Sequence, residues 1–130
     1  MIVVDASAVI DVLLRTPAAR TVETRMFDPN ETLHAPHLLD VEVAQVIRRY
    51  VVGGMIGADR GAAALDDYAD FPVQRYAHAA LLPRVWELRN NFTAYDAVYV
   101  VLAEALGATL LTRDKRLAAT PGHRARIEWV

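Results

Sequence analysis

IVVDAS, at residues 2–7, is the stretch that decides the fold. Its three β-branched apolar residues predict a buried strand over residues 2–5. The acidic residue Asp5 closes that strand, and Ser7 is of a type that caps helices, so a helix to about Leu14 is expected next. A buried strand that turns directly into a helix is typical of an α/β domain. In such domains functional groups gather beyond the carboxyl ends of the strands, where Asp5 is expected.

The alternation of strand and helix continues along the chain. Further strands are expected over residues 33–35, 73–76, 108–112 and 127–130. Helices are expected over residues 17–27 (opened by Pro17), 37–52, 57–69, 78–89 and 93–106, with a short helical segment after residue 115. We therefore predict a single domain, residues 1–130, that forms an α/β three-layer sandwich. Its mainly parallel central sheet would have about five strands, with helices on both faces.

Composition excludes several kinds of protein. The chain has no cysteine, which rules out disulfides, zinc–thiolate centres and thiol catalysis. No apolar run reaches the ~18 residues that span a bilayer, and the start has no basic leader, so we expect a soluble cytoplasmic protein with no membrane contact. The formal net charge of −2 is unlike that of a strongly basic nucleic-acid-binding domain. If the partner were a nucleic acid, it would have to be held by local basic patches or by metal ions.

Asp5 and Asp114 each follow the predicted end of a strand. Taken alone, either residue is explained as a turn or helix-capping acid. Because strand ends meet at one edge of a parallel sheet, the two carboxylates could instead lie together and bind a metal. Arg113, Lys115 and Arg116 flank Asp114, and such residues hold phosphate groups.

Glu42 and Asp96 lie on predicted helices. Glu42 is at one edge of its helix's apolar stripe and Asp40 at the other, where an acid is costly to bury without an arginine or a metal as partner. Asp96 forms an approximate capping box with Thr93. The helix that follows is apolar nearly all round, which predicts that it is buried and that Asp96 lies at the mouth of the core. A surface glutamate and a simple cap remain the alternatives.

Four segments together resemble the PIN-domain family, and they look most like the VapC-type toxins of bacterial toxin–antitoxin pairs. The segments are VVDAS at 3–7, LLDVEVA at 38–44, TAYDA at 93–97 and LLTRD at 110–114. They occur in the order of the family and extend over essentially the whole chain. The resemblance implies a PIN-like sandwich whose catalytic, metal-binding acids are Asp5, Glu42, Asp96 and Asp114.

The resemblance also implies the chemistry. The three aspartates would hold a principal Mg²⁺, or Mn²⁺, and Glu42 would assist that ion or a second one. Ser7 and Thr112 would hold metal-bound water or orient a carboxylate. The substrate would be RNA. The residues themselves, not the resemblance, make Arg113 and Lys115 candidates for binding substrate phosphate, and Asn91 is a less favoured candidate because a plain loop position also explains it. The implied protein is a metal-dependent endoribonuclease that acts as a toxin.

Two kinds of partner follow from the same resemblance. A VapB-like antitoxin would set arginine or lysine against the acids and so neutralise them. A homodimer is also implied, and the apolar connection at residues 51–56 is a candidate interface, unless its side chains pack inward.

Other functions would require residue patterns that this sequence lacks or leaves open. A haloacid-type phosphatase needs a second aspartate two residues after the first, where this chain has Ser7, and the acid pairs of a receiver domain are absent. A rival metal site would use His34, His37, His78 and His123, but their spacing is unrecognisable as a ligand pattern, so surface or capping roles are expected. A housekeeping PIN nuclease and a non-catalytic PIN-like RNA- or protein-binding module remain open. So does the choice among transfer, ribosomal and messenger RNA.

Overall fold

The structure is a computed structural model that describes residues 1–130. Its strands are β1 (Ile2–Val4), β2 (Leu33–Pro36), β3 (Val73–Tyr76), β4 (Thr109–Thr112) and β5 (Arg126–Trp129). Its helices are α1 (Ala6–Leu13), α2 (Ala19–Met26), α3 (Leu38–Val52), α4 (Ala58–Ala69), α5 (Leu82–Glu87), α6 (Ala94–Leu106) and α7 (Lys115–Ala119), with a 3₁₀ turn at Ala79–Leu81 before α5.

The five strands form one sheet in the order β3-β2-β1-β4-β5, and every neighbouring pair is parallel. The predicted five-stranded sheet is therefore confirmed, and it is entirely parallel. The strand that holds the deciding stretch, β1, is central, and all three of its residues are fully buried. Its register pairs Val4 with Leu111 of β4, so the next residue on each strand, Asp5 and Thr112, emerges at the same edge.

Helices cover the sheet in two packed groups, which confirms the three-layer architecture. Helices α1 to α4 pack against one another, while α5 packs on α6, which contacts β1, β2 and β4. Residues Ala97 to Ala103 of α6 are all buried, as the apolar sequence of this helix predicts. Burial of this helix leaves its first turn, with Asp96, at the edge of the core.

Three predicted helix starts are wrong, for local reasons. The cap of α1 is Asp5, whose carboxylate accepts the Ala8 N–H, because Ser7 already lies inside the helix. Pro17 lies in a turn closed by the Ala19 N–H and the Thr16 carbonyl, so α2 begins two residues later than predicted. The single helix expected over 78–89 is a 3₁₀ turn followed by α5, which has a proline in its first turn.

Other features agree with the sequence. Thr93 caps α6 through its side chain, and Gly107 ends that helix with a φ of 61°, a conformation that favours glycine. In the connection at 51–56, Val51 and Ile56 pack against the core, while Val52 and Met55 are exposed, so only the last two could contribute to an interface. No helix has the length and apolar character needed to cross a membrane.

Candidate active site

Asp5 is the most buried of the four predicted acids, with 7% of its surface exposed. One carboxylate oxygen accepts hydrogen bonds from the Ser7 hydroxyl (2.6 Å) and the Ala8 N–H (3.1 Å), and the other accepts from the Thr112 hydroxyl (2.5 Å). Burial raises the pKa of Asp5, the hydrogen bonds oppose that rise, and the negative charge of Asp114 adds to it. Asp5 is thus rigidly oriented but lacks a positive partner.

Thr112 joins Asp5 to Asp114 at the ends of β1 and β4. Its hydroxyl oxygen, which donates to Asp5, also accepts the Asp114 N–H at 3.0 Å. The Asp114 carboxylate caps α7 by accepting the N–H groups of Arg116 (2.8 Å) and Leu117 (3.2 Å). A buried threonine therefore joins the two strand-tip residues at one sheet edge, and their joint binding of a metal stays a prediction.

Asp96 is linked to this edge through Arg116. The guanidinium of Arg116 donates to Asp96 (3.0 Å) and to Asp114 (3.3 Å), although its side chain is 66% exposed. The Asp96 N–H donates to the Thr93 hydroxyl, as the predicted capping box requires. A capping box also requires the Asp96 carboxylate to accept the Thr93 N–H. That part of the prediction is wrong, because the carboxylate accepts from Arg116 instead.

Glu42, on α3, is close enough to Asp5 and Asp96 to be affected by their charges. Burial, followed by the charges of Asp5 and Asp96, raises the pKa of Glu42 from 4.5 to about 7. The Tyr99 hydroxyl lies close enough to oppose this rise, but it is buried and makes no hydrogen bond of ordinary geometry. Burial and the nearby carboxylates raise the pKa of Tyr99 as well. No arginine or lysine lies against Glu42 to balance its charge.

The donor set fits a hard divalent cation. The four carboxylates act on one another through their charges or through Arg116, two of them have a raised pKa, and the buried Tyr99 hydroxyl has no hydrogen-bond partner. A divalent cation would relieve this excess of negative charge. In this arrangement no three acidic or histidine side chains lie close enough together to hold an ion directly. Arg116 donates to both Asp96 and Asp114, so a cation that binds these two carboxylates would have to replace it there. Mg²⁺ keeps several waters, so it needs few direct protein ligands.

Comparison with known proteins places the chain in a family. It matches the PIN domain over residues 2–122. It is 42% identical over 130 residues to ribonuclease VapC12 of Mycobacterium tuberculosis, covering 100% of this chain and 99% of the relative. Ribonuclease VapC1 of the same species is 43% identical over 129 residues, with coverages of 98% and 96%. This chain is a VapC-family PIN-domain protein.

Solved structures confirm the PIN fold at lower sequence identity. PAE2754 from Pyrobaculum aerophilum superposes on this VapC-family chain with a TM-score of 0.71 at 24% identity, covering 97% of this chain and 81% of that one. VapC20 of M. tuberculosis, described as a sarcin–ricin loop cleaving toxin, gives 0.70 at 16% identity, with coverages of 92% and 94%. The predicted VapC-type resemblance and PIN-like fold are both confirmed.

The predicted substrate-binding residues of this VapC-family protein lie in different surroundings. Arg113 is engaged by Asp11 (2.8 Å) and by the Val130 carbonyl, so most of its charge is already compensated. The Lys115 ammonium lies over the exposed Trp129 ring, 4.5 Å from its centroid, and has no acidic partner. The Asn91 side chain packs against Gly122. Their role in substrate binding stays a prediction.

The histidines form no metal-binding group in this VapC-family fold. His34 is buried, with its two ring nitrogens hydrogen-bonded to the hydroxyls of Thr32 (2.7 Å) and Tyr76 (2.8 Å). Burial lowers the pKa of His34. The expected surface or capping role is therefore wrong for His34, which is a buried structural residue of β2.

Tyr99 and the bridging role of Arg116 were missed from the sequence. Tyr99 follows Asp96 by three residues, which places both on one face of α6. That spacing is the signal that could have found it, since a tyrosine in an otherwise apolar helix needs a polar partner. Arg116 was grouped with the phosphate-binding candidates because its contact with Asp96 spans 20 residues and depends on the fold.

Proposed function

We propose that this VapC-family protein is a divalent-metal-dependent endoribonuclease that acts as the toxin of a toxin–antitoxin pair. The observation that carries the proposal is the electrostatic coupling of Asp5, Glu42, Asp96 and Asp114. Burial, together with this coupling, raises the pKa of Asp5 and of Glu42, and Arg116 lies between the other two. Relatives 42–45% identical to it are named VapC ribonucleases. We assign the activity to one domain over residues 1–130.

The residues have separate roles in this proposal. Mg²⁺, or Mn²⁺ in its place, would be held by the four acids, would activate water and would compensate charge on the phosphate. Ser7 and Thr112 hold the Asp5 carboxylate in a fixed orientation through hydrogen bonds to its two oxygens. Asp114 is held in turn by its own N–H bond to Thr112. Asp5 is thus oriented before a cation binds, whereas Asp96 and Asp114 would first have to release Arg116.

Arg116 has a different role from the acids. Its guanidinium balances Asp96 and Asp114, yet its side chain is mostly exposed. An exposed arginine at the rim of an acidic site can turn to a substrate phosphate when a cation replaces it at the carboxylates.

An antitoxin is the protein partner that the charges favour. A cationic side chain of the antitoxin set against the four acids would compete with metal and RNA. We also propose that the toxin is a homodimer, with Val52 and Met55, both more than 70% exposed, as candidate contact residues.

The test is inducible expression in a bacterial host of the wild type and of Asp96→Asn, with RNA-end sequencing. We expect growth arrest and new, recurrent RNA ends with the wild type, and neither with a folded Asp96→Asn protein. Toxicity that persists unchanged in Asp96→Asn would contradict nuclease action. A housekeeping nuclease would instead produce RNA ends without growth arrest.

A further inference from the structure

A pocket of about 350 Å³ lies between α1 and α3, beside the acidic site. Its walls are Ser7, Ile10, Asp11, Val46, Arg49, Tyr50 and Arg113. Ser7 is shared with the acidic site, because its hydroxyl donates to Asp5 at 2.6 Å and accepts the Arg113 N–H at 2.9 Å. The pocket is therefore continuous with the proposed catalytic centre.

Helix α3 carries both the acidic site and the pocket. Val46 and Arg49 follow Glu42 by four and seven residues, so all three lie on one face of the helix. Seven residues correspond to about 10 Å along the helix axis. Arg49 is thus too far along the helix to balance Glu42, and its charge is available to the pocket that it lines.

The charge in this pocket belongs to Arg49. Both oxygens of Asp11 are engaged, one by the Thr16 hydroxyl (2.8 Å) and the other by Arg113 (2.8 Å). Arg49 is exposed and has no carboxylate within salt-bridge distance. The pocket is therefore left with one uncompensated positive charge, which suits a phosphate.

The remaining walls suit a base. Ile10 and Val46 supply apolar surface and Tyr50 supplies an aromatic ring, all beside the charged Arg49. Proteins that bind unpaired RNA combine this kind of surface with a cation for the backbone. A small pocket with these groups matches one nucleotide.

We propose that this pocket, which we call the α1–α3 pocket, binds an unpaired RNA nucleotide next to the scissile phosphate and sets the sequence preference of cleavage. The base would pack between Val46 and Tyr50, and Arg49 would pair with its phosphate. This inference rests on the proposed ribonuclease function and deepens it.

The test compares Arg49→Gln with Arg48→Gln, which removes the same charge from the neighbouring exposed position of α3. Arg48 lines the separate groove between α3 and α4, so it is the matched control. Cleavage of a random-sequence RNA pool is sequenced, and binding of a labelled single-stranded RNA decamer is measured by anisotropy in the Asp96→Asn background. Arg49→Lys tests whether the charge alone restores binding.

We expect Arg49→Gln to weaken binding several-fold, to reduce the salt dependence by about one phosphate contact, and to flatten the nucleotide preference at one position beside the cut. Arg48→Gln should match the wild type, and Arg49→Lys should recover most of the binding. The proposal is overturned if Arg49→Gln behaves like Arg48→Gln. It is equally overturned if Arg49→Gln weakens only neutralisation by an antitoxin, because the pocket would then serve a protein partner. Absence of cleavage by the wild type would instead sink the ribonuclease function itself.

Discussion

Asp40 and Glu42 lie two residues apart on α3, yet they have opposite surroundings. Asp40 accepts hydrogen bonds from the Tyr68 hydroxyl (2.6 Å) and from Arg75 (2.8 Å), whose guanidinium lies 5.5 Å from the centroid of the Tyr68 ring. Burial alone would raise the pKa of Asp40, but these contacts outweigh it and lower the pKa. Glu42 meets only other acids and a tyrosine, and its pKa rises to about 7.

The difference in surroundings indicates that Asp40 stabilises the fold, whereas Glu42 belongs to a functional site. A fold that needed Glu42 only for stability would supply it with a partner, as it does for Asp40. A partly buried acid without a cationic partner lowers the stability of the free protein, which is expected at a site that a cation or substrate completes.

The largest expected effect is on cleavage. Glu42→Gln should reduce the rate of RNA cleavage in Mg²⁺ by on the order of 10²–10³-fold, because it removes charge stabilisation of several kcal/mol from the reacting centre. Asp40→Asn, the matched control on the same helix, should keep the rate within about threefold. The assay is single-turnover cleavage of labelled RNA by purified protein, with circular dichroism to check folding. An equal loss of cleavage rate in folded Glu42→Gln and folded Asp40→Asn would contradict the assignment of Glu42 alone to the active site.

The same pair should differ in stability when a chelator is present. Because the pKa of Glu42 is raised in the folded state, its favourable contribution is present below pH 4.5 and is lost as the pH rises through about 7. Glu42→Gln resembles the protonated acid at every pH, so its stability does not fall as the pH rises through about 7. After allowance for solvent screening, the free energy of unfolding of Glu42→Gln should exceed that of the wild type by about 1–2 kcal/mol at pH 8.

Urea unfolding at pH 8 and pH 5 measures this effect. The advantage of Glu42→Gln should shrink toward zero at pH 5, where the wild-type glutamate is itself protonated in the folded protein. A constant difference at both pH values would show that titration of Glu42 is not its cause.

Asp40→Asn should have a smaller effect of opposite sign. It leaves Arg75 without its partner, and for a half-exposed pair we expect a loss of about 1 kcal/mol at pH 7. Because the pKa of Asp40 is lowered, this contribution is present at neutral pH and is lost as the pH falls through the folded-state pKa. A double-mutant cycle with Arg75→Gln isolates the pair. Additive losses in that cycle would mean that the two side chains do not stabilise each other.

Sequence patterns predict the structural features that depend on residues close together in the chain. The apolar run of β1 and the apolar face of α6 predicted a buried central strand and a buried helix, and both are present. The two acids at strand tips were predicted to meet because parallel strands end at one edge, and Thr112 joins them there. The helix starts at Ser7 and Pro17 were wrong because several residues in each stretch can serve as caps or turns.

What escaped prediction depends on contacts far apart in sequence. Asp40 and Glu42 looked equivalent at the two edges of one apolar stripe. The β2–β3 register pairs Ala35 with Arg75, and this register carries Arg75 to Asp40 across 35 residues. The Asp96–Arg116 contact likewise joins α6 to α7, and local patterning contains no information about it.

Binding of Mn²⁺ tests the central claim, that four separated acids form one cation site, most directly. Calorimetric titration and thermal unfolding should show that the wild type and Asp40→Asn bind Mn²⁺. At about ten times the dissociation constant the melting temperature should rise by roughly 4–8 °C. Asp96→Asn, folded in chelator, should lose most of the binding and of the temperature shift. Binding by Asp96→Asn as tight as that of the wild type would contradict the claim.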